Sequence, residues 1–444
     1  MADEIRTRPI ESKVLETSKV RKQLDVLSQA VKEAQQRIDY SVAHNPEIMK
    51  AIEVVEHFLR KTGRVCYGGQ AINAHLPEAL KFYDEEYDVP DYDFFTPNSK
   101  KDIRELVGLL KKAGFDDISE KPGVHEGTRK IYVNFVAIAD MTSLDEELYK
   151  KYSKDSITVA GIHYLNEDIL RMMMYLELSR PQGEVERWNK VFERLTLLNK
   201  AKPIQRCTER TPRIPTIDSR TREKIIQYII QEKKVLAGAE VGFIYRSYNE
   251  REPGSMEWIV HSGGPIVFFS DDLESDALDI QEIIGKKGTS IQKKSGYGDY
   301  IPSRYVVRKN KRIIAYLIDE TSCNSYNEIP LGQYGSLRIA SLDTLIYLFL
   351  LLGLLADETR TLGLSLLCVA QRFVELLNRI RSAPYSRFPA FTVTCSGHQK
   401  SFATLLREKA TRAEKKSKTK SQTKSVKKQK PIKNKTKKNI FKDV

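Results

Sequence analysis

The sequence is poor in the features that mark secreted, zinc-stabilised or membrane-spanning proteins. It has an odd number of cysteines with no CxxC spacing, which disfavours a disulfide framework or a zinc ribbon. They lie at positions 66, 207, 323, 368 and 395. The N-terminus has no apolar signal-peptide stretch, and the most apolar run, 345–356, is shorter than the ~20 residues that span a bilayer. We expect a soluble protein of a reducing intracellular compartment, with no membrane partner.

Basic charge is plentiful but unevenly distributed. The formal net charge of the 444 residues is +14, and residues 407–444 alone hold 16 Lys or Arg against three Asp or Glu. The rest of the chain is therefore nearly neutral. The tail is too poor in apolar residues to fold alone, so we predict that 407–444 is disordered. A solubilising or targeting role is one interpretation, and a tether for a phosphate-rich substrate is the other.

Hydrophobic periodicity and breaks in it divide the chain into five parts. A helix predicted over about 16–40 has an apolar stripe that we expect to pack against the fold. This stripe consists of Leu24, Leu27, Val31, Ala34 and Ile38. The predicted parts are a helical extension (1–44), a first α/β domain (45–203), a linker (204–218), a second α/β domain (219–406) and the tail (407–444).

The second α/β region resembles a degenerate copy of the first. Phe94-Phe95 and Phe268-Phe269 each end a predicted strand, and the helix that follows ends in a turn at Gly114 or Gly288, at the same distance from each Phe pair. Asp140, within Ile-Ala-Asp, matches Asp319, within Leu-Ile-Asp. An internal duplication explains these correspondences together, and chance similarity of common patterns is the alternative.

One further correspondence concerns the start of a long apolar helix. Residues 165–167, Leu-Asn-Glu, match residues 342–344, Leu-Asp-Thr. The apolar stretch that follows in the second region is either a buried helix or part of a contact between two copies of the chain.

Three acidic residues stand in apolar, strand-like surroundings. Asp91 and Asp93 are two apart in the predicted strand 90–95 and so project from one face, and Asp140 lies in the β-prone run 129–142. A solvated edge strand would explain the pair. Three acids on adjacent strands could instead bind two divalent cations. Counted from the Phe pairs, the second copy has Pro and Val where Asp91 and Asp93 stand.

A pair of glycines follows the strand predicted over 64–67. Gly68 and Gly69 come before a helix that opens at about Gln70. Glycine lets the backbone approach a phosphate closely, and a helix N-terminus supplies free N–H groups. An ordinary turn is the other interpretation, because turn glycines are common.

Two groups in the second region offer alternatives for RNA contact. Residues 285–288, Gly-Lys-Lys-Gly, fit the GxxG loop of KH domains, although the duplication already explains them as a helix-terminal turn. A basic and aromatic set could bind single-stranded RNA or form a solvated hairpin. Its members are Lys293, Lys294, Tyr297, Tyr300, Arg304, Tyr305, Arg308, Lys309, Lys311 and Arg312.

The order of these motifs resembles a known family. Tyr67-Gly68-Gly69-Gln70, Asp91-Tyr92-Asp93 and Asp140 resemble the signature of the DNA polymerase β-type nucleotidyltransferase superfamily. Residues 67–73, 176–181 and 187–195 are similar to the poly(A) polymerase catalytic subunits of large cytoplasmic DNA viruses, and the likeness is best over 67–203. Gln70 departs from the pattern, since the superfamily usually has Ser after the two glycines.

The resemblance implies a fold, a chemistry and a set of site residues. The implied fold class is α/β (α+β), with two nucleotidyltransferase-like domains of which the second is degenerate. Asp91 and Asp93 would hold two Mg²⁺ or Mn²⁺ ions and Asp140 one of them, with ATP as substrate and an mRNA 3′ end as acceptor. Arg187 and Lys190, one helical turn apart, are candidate phosphate ligands; surface pairing with Glu184 or Glu186 is the alternative.

The implied function is template-independent addition of poly(A) to RNA from ATP. Other nucleotidyl transfer, such as tRNA 3′-end addition or synthesis of an oligonucleotide messenger, is the alternative among enzymes, and a catalytically dead RNA-binding subunit is the alternative outside them. The resemblance also implies the cytoplasm of an infected cell, with the virion as a second location. A homodimer or a separate processivity subunit is the expected protein partner.

Overall fold

The structure is a computed structural model. It describes residues 18–84, 86–123, 127–208, 214, 216–250, 264–297, 300–356 and 360–399, together with 404, 407 and 411. The described residues up to His398 form one compact unit, and a second unit, Gln399–Val444, is described at only four positions. Of residues 407–444, for which disorder is predicted, the structure describes only 407 and 411, and the start of the first helix before Ser18 lies outside the described residues. The predicted domain boundaries stay predictions.

Two helices precede the first sheet. Helix α1, Ser18–Ala43, carries the predicted apolar stripe, but the stripe is exposed, with Leu27, Val31 and Ile38 more than half accessible. The expectation that this stripe packs is therefore wrong for the described chain. Helix α2, Pro46–Thr62, begins as predicted at the Asn45 cap and buries its apolar face.

The first sheet has seven strands, in the order β3-β4-β5-β2-β1-β7-β6. They are β1 (Val65–Tyr67), β2 (Tyr92–Thr96), β3 (Ile118–Pro122), β4 (Thr128–Val133), β5 (Val136–Ser143), β6 (Ile157–Val159) and β7 (Ile162–Tyr164). The helices are α3 (Gly68–His75), α4 (Ser99–Lys112), α5 (Glu146–Ser153), α6 (Glu167–Leu178) and α7 (Trp188–Ala201). The two apolar runs around Phe94 and Ile138 become the buried central strands β2 and β5.

The second sheet has the order β10-β11-β12-β9-β8-β14-β13-β15. Its strands are β8 (Val235–Leu236), β9 (Ile266–Ser270), β10 (Thr289–Lys294), β11 (Arg304–Lys309), β12 (Arg312–Asp319), β13 (Asn324–Pro330), β14 (Ser336–Ala340) and β15 (Cys395–Ser396). The helices of this half are α8 (Ser219–Gln231), α9 (Val241–Glu250), α10 (Leu273–Ile284), α11 (Leu342–Leu354) and α12 (Arg360–Ser382).

The two sheets repeat one topology. Seven strands follow the same spatial order in both, and each corresponding pair has the same sense: β2 is parallel to β5 as β9 is to β12, and β1 is antiparallel to β2 as β8 is to β9. The hairpins β4–β5 and β11–β12 also share a bulge. The predicted α/β fold of two related halves is confirmed.

The strand register corrects one of the sequence correspondences. Phe94 pairs with Met141 in the first half, and Phe268 pairs with Leu317 in the second. Asp140 therefore corresponds to Tyr316, and its predicted match with Asp319 is wrong by three residues. The match relied on residue type alone, whereas the register is set by ladder hydrogen bonds.

The helix correspondence shifts in the same way. Helix α6 begins after its cap Asn166, and α11 begins after its cap Ser341. Asn166 thus corresponds to Ser341, and Asp343 to Asp168. The capping side chain, which fixes where a helix starts, is a better guide here than the flanking leucines.

The second half keeps a structural ion pair of the first. Arg64, just before β1, binds Asp102 on α4 at 2.6 Å, and Lys234, just before β8, binds Asp276 on α10 at 2.9 Å. Asp102 and Asp276 lie at the same distance from the two Phe pairs and are both buried. The duplication has therefore preserved a charge pair that ties helix to sheet, and it has not preserved the three acids.

The prediction that the cysteines do not form disulfides is wrong. The structure joins Cys207 to Cys368 and Cys323 to Cys395, and it leaves Cys66 as a buried free thiol. The partners are 161 and 72 residues apart. Local spacing could not reveal these pairs, because tertiary folding brings them together.

The most apolar run of the sequence lies in α11. Its residues Leu342–Leu352 are all buried, between α6 and α12. The run is thus explained by packing within the chain. No helix in the part of the chain that the structure describes is long and apolar enough to cross a membrane.

Candidate active site

The three acids lie on neighbouring central strands of the first sheet. Asp93 on β2 is directly in register with Asp140 on the parallel strand β5, and Asp91 immediately precedes β2. Between the two acids of β2, Tyr92 points to the opposite face, where its hydroxyl donates to Glu56 on α2 at 2.8 Å. The predicted placement of Asp91 and Asp93 on one face thus agrees with the strand geometry.

Burial and neighbouring negative charge raise the pKa values of two of the acids, Asp91 and Asp93. Burial, followed by repulsion from Asp91 and Asp140, raises the pKa of Asp93 to about 8. Desolvation and the charge of Asp140 also raise the pKa of Asp91. Since mutual repulsion disfavours ionisation, this group of carboxylates is stabilised by any nearby positive charge.

Lys130 supplies one such charge. It lies on β4 opposite Asp140, and its Nζ is 2.5 Å from Asp140 Oδ2. The second oxygen of Asp140, Oδ1, is buried and has no hydrogen-bond partner. The charge of Lys130 also opposes the rise in the pKa values of Asp91 and Asp93, without cancelling it. Sequence reasoning missed Lys130, because only the β4–β5 pairing brings it to Asp140.

The donor atoms of these acids suit a hard divalent cation, although the side chains alone do not form a complete set of metal ligands. Carboxylate oxygens are the ligands that Mg²⁺ and Mn²⁺ prefer, and Asp140 Oδ1 offers a buried acceptor with no competing donor. Among the described residues no three His, Cys, Asp or Glu side chains lie close enough to hold an ion as they stand. Mg²⁺ commonly takes only one or two protein carboxylates and completes its shell with phosphate and water oxygens, so this donor set suits an ion that binds together with phosphate.

The predicted glycine turn adjoins the acids. Gly68 begins α3 with φ +73°, a conformation that glycine adopts most easily, and a Cβ atom there would overlap the carboxylate of Asp93. The cap residue Tyr67 makes no side-chain bond to the first N–H groups of the helix. Gln70 lies in the first turn of α3. The turn therefore places free backbone donors beside the acids.

Three basic residues at spacings of three and four lie near this site, Arg187 at the N-cap of α7 and Lys190 and Arg194 on the helix. Arg187 pairs with Glu184 at 2.7 Å, the surface pairing given as the alternative, and with Glu177 at 3.4 Å. Its role as a phosphate ligand stays a prediction. Lys190 has no acidic partner within 4 Å among the described residues. Burial, followed by the charges of Arg194 and Arg187, lowers the pKa of Lys190. Arg194, which sequence reasoning missed, is the third residue of this face and could have been found by extending the spacing.

Several members of the basic and aromatic set at 293–312 contact other residues of the chain. Tyr297 donates to the carbonyl of Ser143 at 2.5 Å, and Lys309 donates to the carbonyl of Gly285 at 2.6 Å. Lys293 pairs with Glu274 and lies over the ring of Tyr305. The predicted basic and aromatic residues thus do not form one exposed face.

The chain resembles known proteins in sequence and in fold. The model of the family "Poly(A) polymerase catalytic subunit" matches residues 53–184, the segment that contains the glycine turn and all three acids. The predicted family resemblance is confirmed. A protein named as a poly(A) polymerase catalytic subunit, from Acanthamoeba polyphaga mimivirus, is 29% identical over 185 residues, which are 41% of this chain and 31% of the relative.

A second relative, from African swine fever virus, extends this comparison. It carries the same name and is 26% identical over 214 residues, which are 47% of this chain and 43% of the relative. The chain thus spans less than half the length of these two poly(A) polymerase relatives. The crystal structure of the Megavirus polyadenylate synthase has a TM-score of 0.74 at 18% identity, over 93% of this chain and 86% of that one. This likeness shows the fold.

Proposed function

We propose that this protein is a template-independent polynucleotide adenylyltransferase that extends the 3′ end of RNA with AMP from ATP. The observation that carries the proposal is the register of Asp93 with Asp140, with Asp91 at the start of β2 and the Gly68 turn beside it. Such an arrangement suits transfer of a nucleotidyl group, in which charge neutralisation and positioning supply most of the catalysis.

The reaction joins the 3′ oxygen of RNA to the α-phosphorus of ATP and breaks the bond to the β-phosphate oxygen, so that pyrophosphate leaves. Two Mg²⁺ or Mn²⁺ ions, held by Asp91, Asp93 and Asp140, would neutralise the phosphates and lower the pKa of the attacking hydroxyl. The chain itself contributes the N–H groups at Gly68, Gly69 and Gln70, which donate to phosphate oxygens. Lys190 adds a cation at the same edge of the sheet.

A nucleotide-by-nucleotide assay tests the proposal. The purified protein is incubated with a short RNA, Mg²⁺ or Mn²⁺ and each nucleoside triphosphate separately. We expect long tails with ATP alone. A short addition of defined length would favour tRNA-type 3′-end addition, products without primer would favour messenger synthesis, and no incorporation at all would favour a dead RNA-binding subunit.

We further propose that the basic tail retains RNA. Truncation after Leu406 should weaken RNA binding and reduce its dependence on salt, by about 0.7 in the slope of log K against log salt for each lysine that contacts phosphate. Single-nucleotide addition should stay unchanged, because the acids lie in the first sheet. RNA titrations at several salt concentrations measure the slope. A full-length chain with the tail lysines replaced by glutamine is the matched control, because it removes the charge of the tail and keeps its length. An unchanged slope in the truncated chain would contradict the proposal.

A further inference from the structure

Two cations of α7 form no ion pair with the residues that the structure describes. Lys190 and Arg194 are one turn apart on the helix, and neither has an acidic side chain within 4 Å among the described residues. Arg194 is half-buried. A partly desolvated guanidinium is stabilised by a hydrogen-bonded anion, and the protein's own described carboxylates do not provide one for Arg194.

The position of Arg194 is fixed by two aromatic rings. The guanidinium carbon lies 4.5 Å from the ring centroid of Phe82 and 5.4 Å from that of Tyr83, and Nη2 donates to the Tyr83 hydroxyl at 3.2 Å. Stacking of this kind holds the planar guanidinium in one orientation while most of its N–H donors stay available. Arg194 is thus held in place before any ligand binds.

The same group touches the glycine turn. A Cβ atom at Gly69 would overlap the Tyr83 hydroxyl and lie 3.0 Å from Arg194 Nη1. The N–H of Phe82 donates to Asn73 Oδ1 on α3 at 3.0 Å, which ties the aromatic loop to the helix that the turn begins. The turn, the loop and Arg194 therefore form one contact group, and Gly69 is the residue that lets them meet.

We infer that Arg194 binds the β- or γ-phosphate of the incoming nucleotide against the Gly68–Gly69 turn, an inference that rests on the proposed function. The turn supplies backbone donors, Lys190 and Arg194 supply positive charge, and the acids mark where the α-phosphate reacts. Gln70 has no hydroxyl to offer at this turn. A phosphate accepts two parallel N–H bonds from a guanidinium, so Arg194 also fixes the orientation of the leaving group.

Binding measurements test the inference separately from catalysis. The probes are ATP, AMP and inorganic tripolyphosphate, each titrated calorimetrically in Mg²⁺ into the full chain. Arg194→Gln should bind ATP and tripolyphosphate about 10- to 100-fold more weakly, with AMP binding unchanged, because one charged bidentate contact is lost. In the RNA assay the KM for ATP should rise more than kcat falls.

Further variants separate phosphate binding from folding. Tyr83→Phe removes the hydroxyl but keeps the ring, and should weaken tripolyphosphate binding by a few-fold. Arg194→Lys keeps the charge without the planar group and should bind tripolyphosphate less well than the parent. If Arg194→Gln does not fold, the single variants Tyr83→Phe and Arg194→Lys test the inference in its place. Glu193→Gln, the exposed neighbour on α7, is the matched control and should bind like the parent.

The outcomes distinguish this inference from the proposed function. Tripolyphosphate binding that depends on Arg194, in a protein that never extends RNA, would leave the inference standing and remove the adenylyltransferase proposal. Unchanged tripolyphosphate and ATP affinity in a folded Arg194→Gln chain would overturn the inference. Loss of RNA affinity alone would overturn it too, by assigning Arg194 to the acceptor strand.

Discussion

Replacing Asp93 by asparagine should lower AMP incorporation into an RNA primer about a thousand-fold or more. Asp93 is in register with Asp140 on β5 and follows Asp91 by two residues, and under the proposed function its carboxylate shares the cations with both. Asparagine keeps the shape but removes the charge that binds and orients those cations, and groups that act in the transition state commonly contribute two to three orders of magnitude each. Single-turnover primer extension with ATP measures the loss.

The same variant should be the more stable protein at alkaline pH in metal-free buffer. The folded pKa of Asp93 is about 8, against 3.8 for the free side chain. The protonated form is therefore favoured in the folded state, and the stability that this proton supports is lost as the pH rises from about 4 through 8. Asparagine has no such proton to lose. Thermal unfolding in EDTA from pH 5 to 9 measures this: the difference in unfolding temperature between the variant and the parent should decrease as the pH falls. If the variant is less stable than the parent at pH 9, its lost activity is due to misfolding.

Asp319→Asn is the matched control. Asp319 is an aspartate at the end of β12 that sequence similarity aligns with Asp140, whereas strand register aligns it with Ser143. By the register, Val267 and Tyr316 of the second half correspond to Asp93 and Asp140, and Asp319 corresponds to none of the three acids. Under the proposed function, Asp319→Asn should therefore incorporate AMP at the parental rate. Comparable loss in both variants would mean that the second half contributes directly to the reaction.

Sequence patterns were sufficient where the deciding contacts are local. The i, i+2 spacing of Asp91 and Asp93 and the Phe pairs at 94–95 and 268–269 are properties of single strands, and they predicted the acidic face and the repeat correctly. The shared strand order of the two sheets explains why these landmarks recur.

Most of the errors made from the sequence concern contacts between distant segments. Lys130 reaches Asp140 only through the β4–β5 ladder. The disulfides join residues far apart in the chain. For the apolar stripe of α1 the sequence predicted a packing contact that the described residues do not make. Periodicity predicts which face of a helix is apolar but does not show that another element covers it.

The second half has altered its glycine turn as well as its acids. Leu236 pairs with Phe268 as Cys66 pairs with Phe94, so Glu240 stands where the first half has Gln70. The Glu240 side chain is fully buried and lies 3.0 Å from Arg222, which is also fully buried. The carboxylate would overlap a Cβ atom at Gly238. A negative charge thus fills the position where the first half offers N–H groups, which disfavours a phosphate there.

Glu240→Ala should destabilise the chain by about 3–5 kcal/mol, because it removes the buried carboxylate that lies 3.0 Å from the buried Arg222 guanidinium. Arg222 Nη1 also donates to the carbonyl of Gly264 at 2.7 Å. The double variant Arg222→Met with Glu240→Leu removes both charges at similar volume and should recover most of the loss. Urea unfolding of the parent, the single variant and the double variant measures this.

Glu274→Ala is the control, because it removes an exposed ion pair with Lys293, and it should change stability by less than about 1 kcal/mol. If the single and double variants are equally destabilised, the site requires the packing of these two side chains rather than their charge balance, and the second half has retained Glu240 for its shape.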